Sequence, residues 1–406
     1  MKKILIIAQY FPPAGGVGTF RVTKFVKYLR EFGWEPIVLT VHKDCHSKAI
    51  WLDCNLEKDI PHDIHIYRTK TWRSSYINDE GVKWLPYLIS NTISIIRKER
   101  PHLIYITGGP FFPLIIGPVV KFLFKLSYVI DLRDPWKLAR RRVPIRGLKT
   151  LLGRLLTNIA EPIVLRHAAK VICATDTMRK EYQSVYPDKS EKFFTITNGY
   201  DPDDFDYIKP KQYEKFTIVY TGKFERGEAF HNPAPVFKAL KILQSEGIEA
   251  QFIHVGVKEE KVVTLAQKAG MRNAIKFIGP KSHSETLSYA IGADLLLVIG
   301  SDRKNNLPVK MFDYIGCHRP ILILAYKDEE MWNVGQEIPF ATLLENNNSN
   351  NIACAIEKIY QNYHRIELAK NMSSKYHRKN LASILSKVFN EVLLTKEKNK
   401  GNMYTS

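Results

Sequence analysis

Cysteine is scarce in this chain, and its copies are widely scattered. The sequence has five cysteines and no C-x-x-C pair. This spacing argues against a zinc ribbon or a disulfide framework, and it suits a protein of the reducing cytosol. Histidines, cysteines and carboxylates also lack the spacing of a metal site. The acids Asp201, Asp203 and Asp204 lie close together in the sequence, but they fall in a predicted turn. We therefore expect no required metal.

Long apolar runs are absent as well. The run Ile4–Ala8 follows two lysines, but it is too short for a signal peptide and the prolines at 12 and 13 close it. The most apolar later stretch, Phe111–Ile130, contains Lys121 and Lys125, whose charges are costly inside a bilayer. We therefore predict a buried first strand and no membrane-spanning helix.

Acidic residues are few relative to basic ones. The chain has 41 Asp and Glu against 60 Lys and Arg, a formal net charge of +19. A field this positive attracts phosphates, so nucleic acid, an anionic membrane surface or a diphosphate substrate could each be the partner. No known nucleic-acid module and no interleaved basic and aromatic patch occurs, so no nucleic-acid partner is expected.

With 406 residues, the chain is too long for one ordinary core, and we predict an α/β protein of two parallel-sheet domains. Turn-forming residues from Asn198 to Asp204 predict the hinge. The expected domains are residues 1–205, residues 206–375, and a C-terminal helix with a frayed tail over residues 376–406. The predicted strands are Lys3–Ala8, Glu35–Val41, Leu103–Ile106, Ser127–Leu132, Lys170–Ala174, Phe216–Tyr220, Ala250–Val255, Ala274–Ile278, Asp294–Ile299 and Pro320–Leu324.

A glycine loop with Gly15 and Gly16 lies between the first strand and the first helix. Glycines at this place let a ligand approach the backbone N–H groups at a helix N-terminus. Arg21 occupies the third glycine position of the dinucleotide pattern, and a simple flexible turn is the alternative interpretation.

A second cluster follows the strand that ends at Leu132. Asp131, Arg133, Asp134 and Trp136 stand at the carboxyl end of that strand, where ligands of α/β sheets bind. The alternative is a local Asp–Arg pair with the tryptophan packed in the core.

The second half repeats this arrangement. Gly222 and Lys223 end a strand, and Pro308 begins a helix that carries Lys310 in its first turn and Asp313 one turn further on. A lysine is unfavourable there unless an anion is bound, so a phosphate on the lysine and a ribose on the aspartate fit the spacing. An exposed Lys–Asp pair three residues apart is the alternative.

These segments together resemble the GT-B glycosyltransferases, specifically glycosyltransferase family 4. The order and spacing of six segments carry the resemblance over nearly the whole chain. They are Gly15-Gly16, Asp131-Leu132-Arg133-Asp134-Pro135-Trp136, Thr197-Asn198-Gly199-Tyr200-Asp201, Tyr220-Thr221-Gly222, His231-Asn232-Pro233 and Leu307-Pro308-Val309-Lys310-Met311-Phe312-Asp313-Tyr314.

The resemblance implies two Rossmann-like domains facing across a cleft, with a nucleotide-diphosphate sugar bound between them. It also implies a retaining reaction and no required cofactor or metal, and it leaves open whether the donor carries UDP or GDP. Asp313 takes the place of the family's ribose-binding glutamate, whereas the first glutamate of that pair falls on Asn305. Gly222-Lys223 stands where the family usually has Gly-Arg, and Lys310 would supply the charge of a second, missing lysine.

On this hypothesis Lys223 and Lys310 stabilise the leaving phosphate, helped by backbone N–H groups near Gly16. Asp131 and Asp134 position the acceptor hydroxyl or the sugar, with Arg133 and Trp136 on the acceptor side. The acceptor would be a glycan or a lipid-linked glycan of surface polysaccharide or glycolipid synthesis. A nucleotide-sugar 2-epimerase of the same fold and a non-catalytic basic protein that binds nucleic acid remain as alternatives.

The stretch Lys137–Leu156 is basic with interleaved leucines. From Leu148 the leucines follow helical spacing, which fits either a helix facing the core or one lying on an anionic membrane. The second interpretation predicts a cytoplasmic protein bound to the inner face of the membrane, with Arg140, Arg141, Arg142 and Arg146 as its lipid contacts.

Overall fold

A computed structural model describes residues 1–47, 50, 52–73, 79–137, 148–226, 229–300, 307–345, 348–362 and 374–401. The chain forms two compact units. The first comprises Met1–Asn198 and Arg378–Ser406, and the second comprises Gly199–His377. The division falls in the turn-rich segment that the sequence predicted as the hinge, a few residues before the expected boundary at 205.

The first unit is built on a seven-stranded parallel sheet with the strand order β3-β2-β1-β4-β5-β6-β7. This is the Rossmann order extended by one strand. The strands are β1 Lys2–Ile7, β2 Trp34–Val41, β3 His65–Thr69, β4 Leu103–Thr107, β5 Tyr128–Leu132, β6 Lys170–Cys173 and β7 Phe193–Thr195.

The strands of this sheet are continuous apolar runs because helices cover both faces of the sheet. All five residues of Leu103–Thr107 and of Tyr128–Leu132 are buried, for example. The sequence predicted five of the seven strands. His65–Thr69 was missed because most of its residues are polar, and Phe193–Thr195 because it has only three residues.

Among the residues that the structure describes, six α-helices belong to the first unit. They are α1 Val17–Tyr28, α2 Glu80–Glu99, α3 Ile116–Phe124, α4 Leu148–His167, α5 Asp176–Val185 and, after the second unit, α12 Arg378–Gly401. Within the described residues, no helix is both long and apolar enough to cross a bilayer.

Helix α2 begins nine residues before the predicted start at Ile89. The sequence predicted a helix over Ile89–Glu99 only, so the start of this helix was placed too late. The carboxylate of Asp79 accepts from the backbone N–H groups of Gly81 and Val82 and caps the helix there. Trp84 and Leu88 are buried on either side of the proline, so packing holds this turn helical.

The C-terminal helix α12 packs on the first unit. Leu385 and Phe389 are fully buried there, and the Phe389 ring meets Trp34 edge-on with centroids 5.3 Å apart. A frayed tail was expected from Thr395, but the helix continues to Gly401.

The second unit repeats the plan with a six-stranded parallel sheet in the order β12-β11-β8-β13-β14-β15. Counted within the unit, this is the Rossmann order 3-2-1-4-5-6. Its strands are β8 Phe216–Thr221, β11 Ala250–Val255, β12 Ile275–Phe277, β13 Leu295–Ile299, β14 Ile321–Leu324 and β15 Ala341–Leu344, and a hairpin pairs β9 Glu225–Arg226 with β10 Ala229–Phe230.

The helices of this unit are α6 Ala234–Ser245, α7 Glu260–Lys268, α8 His283–Gly292, α9 Lys310–Cys317, α10 Glu330–Gln336 and α11 Ser349–Asn362. The predicted α/β class with two Rossmann-like parallel sheets is thus confirmed. Because the strands of each sheet run parallel, their carboxyl ends share one edge, and the predicted site residues follow those ends.

Candidate functional site

The glycine loop of the first unit ends at the N-terminus of α1. Gly16 precedes the helix with φ 111°, a conformation that residues with a side chain rarely adopt. The first turn of α1 contains no acidic residue. The positive end of the helix dipole is therefore not neutralised within that turn.

Arg133 is held over the same turn. Its Nε donates to the Gly108 carbonyl at 2.9 Å, and its Nη2 donates to the Gly109 carbonyl. A Cβ built on Gly18 would lie 1.5 Å from Nη1, so the missing side chain at Gly18 makes room for the guanidinium. A fixed guanidinium beside a free helix N-terminus is an arrangement that favours an anion.

Asp131 does not have the geometry of an acceptor-positioning group. Its carboxylate is fully buried and accepts from Arg21 through both oxygens, at 2.7 and 2.9 Å, and from the Tyr105 hydroxyl. Arg21 also donates to the carbonyls of Ile196 and Thr197. The role predicted for Asp131 disagrees with this geometry, because neither oxygen is available to a substrate.

Trp136 also differs from expectation. Its indole is fully buried and stacks on Phe111 with centroids 5.6 Å apart, so it packs in the core, as the alternative interpretation held. Asp134, by contrast, is exposed at the same strand end. Of the two aspartates, the structure leaves Asp134 accessible.

A polar cavity of about 560 Å³ lies at the carboxyl ends of β2 and β3. Trp72 lines it with half its surface exposed. The cavity is lined by Asp44, Cys45, His46, Ser47, Thr71, Trp72, Arg73, Glu80 and Lys83. An exposed indole beside charged hydrogen-bonding groups is suited to a sugar ring, which has both apolar and hydroxyl faces. This cavity was not predicted from the sequence, because half of it is built on the residues that follow β3, a strand that was not predicted.

His46 is the neutral group of this cavity. Burial, with the charges of Arg68 and His42, lowers its pKa to about 4. Its Nε2 is buried without a hydrogen-bond partner among the described residues, and its ring lies 5.5 Å from that of Tyr10. The pKa of Tyr10 is raised by burial and by Glu80, so both rings are neutral at pH 7.

In the second unit, Gly222 turns the chain sharply at the end of β8. Its φ is 87°, and its carbonyl accepts from the Nε2 of His254 at 2.7 Å. Burial lowers the pKa of His254, and the charge of Lys310 lowers it further. Lys223 follows with an exposed side chain, next to this turn.

Lys310 lies at the start of α9. Its Nζ lies 3.4 Å from the centroid of the Tyr220 ring, which stacks on Phe224 with centroids 4.0 Å apart. The predicted helix start after Pro308 is correct within two residues, since Met311 N–H donates to the Pro308 carbonyl. The cation–π contact orients the ammonium at the edge where β8 ends.

Asp313 lies one turn further along α9. Its carboxylate is 3.4 Å from the Nε2 of His283, and about a quarter of its side chain is exposed. The neighbouring Tyr314 hydroxyl accepts from the backbone N–H of Thr221 at 2.8 Å, which ties α9 to the end of β8. Lys310 and Asp313 thus have separate partners rather than pairing as an exposed i,i+3 pair. Asn305 lies outside the described residues.

Two site residues were missed for different reasons. Arg21 has a visible signal, because it shares an i,i+4,i+8 row of α1 with the fully buried Phe25 and Leu29. A charged side chain on this buried face of the helix requires a buried group of opposite charge. His283 carries no such signal, because its contact with Asp313 joins two helices that are distant in sequence.

The sequence model of glycosyltransferase family 4 matches residues 14–204. That range contains the glycine loop, Arg133 and Asp134. No protein of curated function matches the sequence.

Several solved structures have a similar fold. Sucrose-phosphate synthase from Thermosynechococcus elongatus superposes with a TM-score of 0.63 at 15% identity, covering 100% of both chains. HepE from Anabaena, solved in complex with UDP and glucose, gives 0.59 at 14%, covering 99% of this chain and 100% of that one. A putative UDP-N-acetylglucosamine 2-epimerase from Listeria monocytogenes gives 0.60 at 13%, covering 94% of each. At these identities the likeness shows the fold.

The family match and the shared fold agree with the resemblance seen in the sequence, which is confirmed. The two parallel sheets, of seven and six strands, are those of the GT-B fold. Residues 14–204 therefore match glycosyltransferase family 4, and the whole chain has the GT-B fold.

Proposed function

We propose that this enzyme is a retaining glycosyltransferase that moves a sugar from a nucleoside-diphosphate sugar to a glycan or lipid-linked acceptor. The product would belong to a surface polysaccharide or a glycolipid. The enzyme would work in the cytoplasm, at the inner face of the membrane, without a metal, a cofactor or a nucleic-acid partner.

The ammonium of Lys310 is the observation that carries the proposal. It is fixed over Tyr220 in the first turn of α9, where a helix N-terminus already favours an anion. A diphosphate there would be met by Lys310 and by the nearby exposed Lys223. Asp313, partly exposed one turn on, would accept from the ribose hydroxyls.

The hard step is departure of the diphosphate while the anomeric carbon gains oxocarbenium character. The bond from that carbon to the phosphate oxygen breaks as the bond to the acceptor oxygen forms. Cations fixed beforehand stabilise the charge that develops on the leaving group. We assign this role to Lys223 and Lys310 in the second unit. In the first unit, Arg133 and the N–H groups that follow Gly15 and Gly16 would meet an anionic group of a substrate.

For the acceptor we propose the cavity beside β2 and β3, with Trp72 as the surface on which a sugar ring rests. Asp134 is the exposed carboxylate of the first unit that would orient the acceptor hydroxyl. Asp131 is left out of this role, because both of its oxygens are already bound.

A binding experiment tests the donor site. Thermal shifts are compared for UDP, GDP and the matching nucleosides, and UDP comes first because HepE was solved with UDP. A nucleotide at a hundredfold excess over Kd stabilises the protein by about 2.7 kcal/mol. Lys310→Ala should weaken the diphosphate and spare the nucleoside, whereas Asp313→Ala should weaken both. Equal losses of diphosphate and nucleoside in Lys310→Ala would contradict the phosphate assignment.

A nucleotide-sugar 2-epimerase is the second candidate, since the putative UDP-N-acetylglucosamine 2-epimerase from Listeria monocytogenes shares the fold. Incubation with the donor alone separates the two functions. An epimerase converts the free nucleotide sugar to its 2-epimer, whereas the proposed transferase leaves its configuration unchanged.

A further inference from the structure

Two neighbouring helices of the first unit expose an unusual number of large apolar side chains. On α3 these are Phe122, with three quarters of its surface exposed, and Leu123. The others lie on α4. We call this set the apolar face: Phe122, Leu123, Leu151, Leu152, Leu155, Leu156, Ile159 and Ile163.

Helix α4 has reversed polarity over most of its length. From Leu151 to Ile163 its buried positions are Thr157 and Glu161, whose exposed fractions are each 1%, while the leucines and isoleucines of this stretch are exposed. Val164 and Leu165 are buried in the last turn. Glu161 accepts from the Lys137 backbone N–H at 2.6 Å and from the hydroxyls of Tyr182 and Tyr186. A helix of a soluble protein normally buries its apolar side. The outward leucines therefore indicate a surface that is covered in the working protein.

The charges on the two helices of the apolar face are almost all positive. Across α3 and α4 the only carboxylate is Glu161, which is buried. Lys121 donates to the His167 carbonyl, and Lys192 donates to the carbonyls of Arg166 and Ala168, so two ammonium groups collect at the end of α4. Lys125 stands beside Phe122, with its Nζ 5.6 Å from the ring centroid.

We infer that the apolar face docks on an anionic membrane, with its leucines and Phe122 in the headgroup boundary and its lysines on lipid phosphates. Apolar insertion together with bordering bases is the pattern of interfacial helices. A second copy of the chain fits less well, because a two-fold contact would bring the lysines of both copies to one rim.

This inference rests on the proposed function, since a lipid-linked acceptor gives the enzyme a reason to sit on the membrane. It also replaces part of the membrane hypothesis drawn from the sequence. Arg140, Arg141, Arg142 and Arg146 lie outside the described residues. The face defined here adds α3 and continues along α4 to Ile163.

The test is sedimentation of the full chain with vesicles, using vesicles of phosphatidylcholine alone and vesicles that also contain phosphatidylglycerol. The wild type should bind the anionic vesicles, more strongly at low salt. The variant Leu152→Gln/Leu156→Gln/Ile159→Gln should bind at least about tenfold more weakly, because it removes three of the apolar side chains that would insert. The matched control is Tyr207→Gln/Val257→Gln/Tyr326→Gln, which replaces exposed apolar residues of the second unit and should bind as the wild type does.

A thermal shift with UDP and GDP on each variant separates this inference from the proposed function. Loss of vesicle binding with an unchanged nucleotide shift supports the docking face. A wild type that binds nucleotide but ignores anionic vesicles overturns the inference and leaves the donor site standing. Vesicle binding without any nucleotide shift overturns the proposed function instead. A wild-type dimer that the glutamine variant converts to a monomer would assign the face to a second copy and overturn the membrane inference.

Discussion

Among single residues, the pair formed by Arg21 and Asp131 shows how a chemically suggestive residue can have a structural role. Both side chains are fully buried, and the pair links α1 to the end of β5. Arg21 also donates to the carbonyl of Thr197, which extends this link to the end of the Met1–Asn198 segment. The carboxylate therefore stabilises the strand edge on which the candidate site is built.

Replacing this carboxylate should cost stability more than catalysis. Asp131→Asn leaves the buried guanidinium of Arg21 without its counter-charge, so we expect the free energy of unfolding to fall by about 3–5 kcal/mol. Urea unfolding measures the change. Asp134→Asn is the matched control: it is exposed two residues after β5 and should unfold like the wild type while losing transfer activity. If Asp131→Asn is as stable as the wild type, the charge of Asp131 does not stabilise the buried Arg21.

His46 gives the molecule a specific sensitivity to acid. Its folded pKa of about 4 lies below the ordinary value of 6.5, because burial and two cations disfavour the charged ring. Below pH 6.5 the unfolded chain therefore takes up a proton that the folded chain does not. Its contribution to stability is complete above about pH 6.5 and is lost as the pH falls toward about 4.

Melting temperatures at pH 7 and pH 5 test this statement. His46→Gln cannot titrate, so its melting temperature should fall less between the two pH values than that of the wild type. His62→Gln, at an exposed position, serves as the control and should follow the wild type. If the melting temperatures of all three proteins fall equally between pH 7 and pH 5, the fold does not keep the ring of His46 neutral.

At the scale of elements, the glycine loop, α1 and the segment after β5 act as one structure. The Arg133 guanidinium occupies the space that a side chain at Gly18 would need. Gly18→Ala should therefore displace Arg133 and lower kcat/KM by about 100-fold, as loss of one preorganised donor does. Arg133→Gln should do the same.

The double variant provides the control for this prediction. If both changes act through the same guanidinium, Gly18→Ala/Arg133→Gln should be no worse than either single variant. Additive losses would mean that Gly18 and Arg133 act independently. Melting temperatures of the three proteins show whether the loss of activity merely reflects unfolding.

The elements also show what the sequence could and could not predict. The core strands were found because buried parallel strands are continuous apolar runs. Arg133 and Gly222 follow the ends of β5 and β8, as the sequence predicted, and their roles in a site stay predictions. The start of α2 was missed because tertiary packing overrides the local effect of Pro86. The burial of Asp131 and Trp136 depends on Arg21 and Phe111, which are distant in sequence, so no local pattern could reveal it.

At the scale of the whole molecule, we propose two separate roles for the positive charges behind the net charge of +19. Cations at the strand edges would bind the diphosphate of the donor, and cations around the apolar face would bind lipid phosphates. Salt should weaken vesicle binding strongly, because exposed charges are screened. Salt should weaken donor binding less, because the ammonium of Lys310 is held against the Tyr220 ring.

The most direct test of the central claim is release of nucleoside diphosphate from a donor sugar. Purified enzyme is incubated with UDP- or GDP-sugars and a lipid extract as the source of acceptor, with EDTA present, and free nucleotide is measured over time. The wild type should release UDP or GDP only when acceptor is added, and Lys310→Met should be slower by about 100-fold. If no nucleotide sugar is turned over, or if Lys310→Met releases nucleotide as fast as the wild type, the proposed donor site is wrong.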